Sequence, residues 1–94
     1  MEYTIDEIRH KLDFLKSRCA MSAYCMSCWL REDKFVLAVW NEVLKGTQIT
    51  DQVVLDIIRP LYAEISSNRD KFPGFEIQNA RRGMHQLEKS LMKV

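Results

Sequence analysis

Glycine and proline are scarce in this sequence, with three Gly and two Pro among 94 residues. That scarcity excludes collagen-like, linker-like and loop-dominated chains. Excess charge of either sign is also missing. Lys plus Arg number 14 and Asp plus Glu 13, a net charge of +1, so no global field gathers a polyanion or an anionic membrane. The longest stretch without a charged residue, Cys19 to Leu30, has 12 residues, against about 20 for a membrane-spanning helix. No basic start leads into an apolar core and a small-residue cleavage site, so no secretory signal is expected. Cysteine is few and odd in number: Cys19, Cys25 and Cys28 all fall within ten residues. A disulfide scaffold of this size would spread an even number along the chain, so a reducing, cytoplasmic setting is expected. The length suits one domain, residues 1–94.

What is present is helical periodicity. Thr4-Ile5-Asp6-Glu7 fits a capping box, with Tyr3 and Ile8 placed as its hydrophobic staple. Ile5, Ile8, Leu12, Leu15, Cys19, Ser22, Met26 and Trp29 then follow 3,4 spacing, which keeps one stripe on one side of a helix. After Arg18 charge vanishes until Arg31, and Phe14, Met21, Cys25 and Cys28 form a second apolar stripe. A helix apolar on two sides is either central in a bundle or covered by a partner.

Glu32 and Asp33 precede Phe35-Val36-Leu37-Ala38-Val39-Trp40, and Lys45-Gly46 closes the segment. Acids first and Gly last suit a helix with its dipole and cap. A short buried strand from Phe35 to Trp40 is the alternative, as is one long helix from Thr4 to Lys45. Val36, Val39, Trp40 and Val43 share a face, which favours the helix. Thr50 is placed to cap a third helix, with Val54, Ile57, Ile58, Leu61 and Ile65 inward and Leu55 and Tyr62 at the margin. Pro60 inside it predicts a kink. Ser66 to Phe75 reads as a loop with a type II turn at Pro73-Gly74. Ile77, Ala80, Met84, Leu87, Leu91 and Val94 mark the last helix. The expected fold is an all-α antiparallel bundle of about four helices.

Three groups of residues are candidates for function. Cys25-Met26-Ser27-Cys28 has a CxxC spacing that zinc sites and redox pairs use, because thiolates are soft ligands and nucleophiles. No second CxxC exists, and neither His10 nor His85 lies near in sequence. The plain reading is buried, reduced thiols, with no metal and no cofactor.

The second group is the basic side of the last helix: Arg81, Arg82, His85, Lys89 and Lys93 gather within about 120° of arc. Such a face grips phosphates or an acidic protein surface, and it is equally what a solvated helix presents. The third group is the surplus of apolar residues in helices 1 and 2. Met21, Tyr24, Cys25, Cys28, Trp29 and Trp40 are its expected contact residues.

Catalysis finds little footing, since no Gly-rich phosphate loop exists and no Ser, His and acid stand at a motif spacing. The sequence therefore predicts a non-catalytic protein-binding module, an adaptor, inhibitor or accessory subunit that binds another protein or its own copy. A small nucleic-acid-binding subunit using the last helix is the alternative, and a thiol or metal sensor through Cys25 and Cys28 a third class.

Overall fold

The computed structural model describes residues 2–14 and 28–92. Among them are four α-helices and no strand: α1 (Ile5–Lys11), α2 (Asp33–Leu44), α3 (Asp51–Ser67) and α4 (Ile77–Met92). Short 3-10 turns follow α1 (Leu12–Phe14) and α3 (Arg69–Lys71). The all-α bundle is thus the observed architecture, and Phe35 to Trp40 is helix, not strand.

Local chemistry starts and stops these helices. The Thr4 hydroxyl accepts from the Glu7 amide at 3.2 Å, as a capping box requires. The reciprocal arm differs, because the Glu7 carboxylate accepts from the Thr4 hydroxyl rather than from a backbone amide. Glu32, in extended conformation, caps α2 by accepting from the Lys34 amide at 3.2 Å. Thr50 caps α3 in the same way, accepting from the Val53 amide at 3.3 Å.

α2 ends where Gly46 adopts φ +81°, a left-handed conformation that costs other L-residues about 1–2 kcal/mol. The Thr47 amide bonds the Glu42 carbonyl and the Gly46 amide the Val43 carbonyl, which is a Schellman closure. Gly46→Ala is accordingly expected to lose about 1 kcal/mol in urea unfolding. Gly46→Asn should lose less, because Asn tolerates this conformation.

One long helix from Thr4 to Lys45 is excluded. Cys28 and Trp29 are helical, but the chain turns at Leu30 and Arg31 before Glu32 restarts it. Arg9 fastens that turn to α1: its Nε donates to the Leu30 carbonyl at 2.6 Å, while its other nitrogens pair with Asp6 and Asp33. Pro60 lies within α3, which continues to Ser67. Its ring is on the exposed side, where water can satisfy the carbonyl that lost its amide partner. Gly74 is not at positive φ, so the turn closed by the Phe75 amide on the Phe72 carbonyl is not type II. Proline at the second turn position suits type I as well as type II.

Among the described helices α1 packs on α2, α2 on α3 and α3 on α4. Every helix supplies the core, with Ile8, Phe35, Val36, Val39, Val54, Leu55, Ile58, Ile65, Ile77, Ala80 and Leu87 buried beside Leu12, Cys28 and Trp29. Leu55 belongs inside rather than at the margin, while Ile57 and Leu61 are only half-buried. Among the described residues no helix is long and apolar enough to cross a membrane.

Candidate protein-binding surfaces

The apolar residues that spacing nominated for contact divide into two sets. Met21, Tyr24 and Cys25 lie outside the described residues, and so does Lys93 of the basic group. Cys28 and Trp29 are inside the chain's own core. Trp29 is 0% exposed, tilted against Phe35 with ring centroids 5.8 Å apart and against Phe75 at 5.0 Å. The Cys28 thiol donates to the Glu76 carbonyl at 3.2 Å, joining the turn before α2 to the start of α4. Burial pushes the Cys28 thiol above its ordinary pKa, with the nearby Glu76 carboxylate adding to the effect. A protonated, enclosed thiol is a poor nucleophile. Among the described residues no three His, Cys, Asp or Glu side chains converge on a point that a metal could occupy.

Trp40 sits differently. It is half-buried, and its ring meets that of Tyr3 edge to face at 5.8 Å and 89°. The Lys11 ammonium rests 4.6 Å from the centre of the same Tyr3 ring. Tyr3, Asp6, Glu7, His10 and Lys11 line an open concavity of about 450 Å³ along this side of α1. A second, of about 300 Å³, lies between Arg31, Glu32 and the Phe72–Phe75 turn.

On α2, Leu37 is 42% exposed and Leu44 67%. Seven residues apart, they lie within about 20° of each other around the helix. Phe35, Val36 and Val39 point the other way, into the core. The surplus apolar character of this helix therefore emerges at Leu37 and Leu44, neither of which the spacing argument singled out. The phase of the Val36-Val39-Val43 stripe already implied it, since Leu37 and Leu44 lie more than about 100° around the helix from its centre.

The basic group is brought together. Arg81, Arg82, His85 and Lys89 are all exposed on the side of α4 away from Ile77, Ala80 and Leu87. Glu88, the one acid of α4, bridges instead to Arg59 of α3 at 3.8 Å. No known protein family, curated protein or solved structure matches this chain.

Proposed function

We propose that this chain is a non-catalytic protein-binding module, an adaptor, inhibitor or accessory subunit working in the cytoplasm. It engages a partner protein through the outward side of α2, with the basic side of α4 as a second surface. The observation that carries this reading is the exposure of Leu37 and Leu44 on one helix that already buries Phe35, Val36 and Val39. A helix apolar on its solvent side is the ordinary mark of a contact surface. The half-buried Trp40 beside that stripe adds the residue type that most often dominates interface energetics. Its anchoring against Tyr3 holds the ring in place before any partner arrives.

The test is a paired capture. Wild-type chain and a Leu37→Glu/Leu44→Glu variant are used as bait in extract from the native host, and light scattering follows each alone. Both side chains are largely outside the core, so the variant should melt within a few degrees of wild type, in line with surface substitutions of about 0.5 kcal/mol. A partner, or a second copy, held by wild type and lost by the folded variant is the expected result. Identical capture by the two, with both chains strictly monomeric, would overturn the reading.

A further inference from the structure

Cations on the first three helices have partners at hand. Arg9 pairs with Asp6 and Asp33, Lys34 with Glu64 and Arg59 with Glu88, and Lys11 lies over the Tyr3 ring. α4 is the exception. Arg81, Arg82 and Lys89 are exposed and enter no ion pair among the described residues. Arg81, His85 and Lys89 succeed one another at four-residue intervals, so about 6 Å of helix rise separates each from the next. Arg82 flanks this line. The result is a strip one helix wide and about 12 Å long, with the charges of Arg81, Arg82 and Lys89 and the imidazole of His85 between them as a further N–H donor.

We infer that this strip docks an acidic segment of the partner protein, one whose carboxylates recur along one side at the same 6 Å interval. Asp or Glu residues four apart in a helix have that interval. The inference rests on the protein-binding reading above and names the chemistry of the partner at the second surface. Complementary charge at this repeat fixes register and speeds encounter, which is what exposed interface charges chiefly contribute.

Nucleic acid is the poorer occupant. A duplex or long strand is held by roughly 6–10 phosphate contacts, whereas this strip offers three permanent charges on a chain of net charge +1. α4 also has no Phe, Tyr or Trp on which a base could stack. A lipid surface fits no better, because the apolar side of α4 is committed to the core through Ile77, Ala80 and Leu87. Met92, at the end of α4, is the one large apolar residue of that helix that is well exposed, too little to carry a helix into the acyl region.

The experiment titrates the full chain with a labelled, capped alanine-based helix carrying Glu at every fourth position, read by fluorescence anisotropy. The same peptide with Gln for Glu, one with the Glu residues scattered round the helix, a single-stranded oligothymidine and phosphatidylserine-rich vesicles are titrated in parallel. At ~20 mM salt the four-spaced Glu peptide should bind tighter than every competitor. The affinity should fall about tenfold near 200 mM salt as screening shortens, and about tenfold in Arg81→Glu/Lys89→Glu. An Arg81→Gln/Lys89→Gln chain with an unchanged melting curve should lose part of that affinity, separating charge loss from misfolding.

Preference for oligothymidine or vesicles, equal binding of the scattered peptide, or indifference to the Arg81 and Lys89 changes would each overturn the inference. Leu37→Glu/Leu44→Glu should still bind the acidic peptide. Partner capture through α2 without peptide binding would remove this inference and leave the broader reading standing.

Discussion

Trp29→Ala is expected to lose about 3–5 kcal/mol of stability. The side chain is 0% exposed and sits between Phe35 of α2 and Phe75 at the approach to α4. Removing it opens a cavity between these two rings, and a domain of this size has about 5–15 kcal/mol in total. Urea unfolding followed by circular dichroism gives the value, with Trp40 left as an internal fluorescent probe. Trp29→Phe should lose much less than the difference in ring area implies. Among the described residues the buried indole Nε1–H finds no hydrogen-bond partner, and such a group costs about 1–3 kcal/mol that Phe would not incur. A Trp29→Ala chain that melts with wild type would return this residue to the contact surface where spacing first placed it.

The starts of α1 and α3 and the end of α2 were legible because their causes are local, whereas the end of α1 at Lys11, inside a stripe that runs on in 3,4 spacing, was not. Thr4, Thr50 and Gly46 act within four residues of themselves, and their side chains or backbone angles are visible in the sequence as residue types. The interior and exterior of the bundle were only partly legible. Periodicity gives the phase of a stripe but not its neighbour, so a segment apolar on two sides offers no reason to prefer core or partner for Trp29. The structure answers through residues remote in sequence, Phe75 and Glu76, which no local pattern connects to Cys28 and Trp29. The exposure of Arg81, Arg82, His85 and Lys89 on α4 was legible, since one amphipathic helix fixes both of its faces at once. Leu37 and Leu44 were available to the same argument on α2 and were obscured by the uniform apolarity of Phe35 to Trp40.

Leu55→Ala is expected to lose about 2–5 kcal/mol, and Ile57→Ala about half of that. Spacing alone orders them the other way, with Ile57 on the buried stripe and Leu55 at its edge. The structure rotates the buried face by about 40° towards Leu55, taking 100° per residue for Val54, Leu55, Ile58 and Ile65. The cause is the position of α3 between two neighbours. Lys34 of α2 reaches Glu64 on one flank, and Glu88 of α4 reaches Arg59 on the other. Leu55 falls on the Arg59 flank by the same wheel, where α3 and α4 make the most extensive helix pairing among the described residues. Ile57 falls on the Glu64 flank and stays half-exposed. A single helix read from its sequence shows the centre of its apolar arc, and only the relative closeness of the two neighbours decides which edge is sealed. Urea titrations of the two variants under one set of conditions measure that decision directly. Equal losses, or a larger loss at Ile57, would put the buried face back where the 3,4 spacing centred it and would loosen the α3–α4 contact described above.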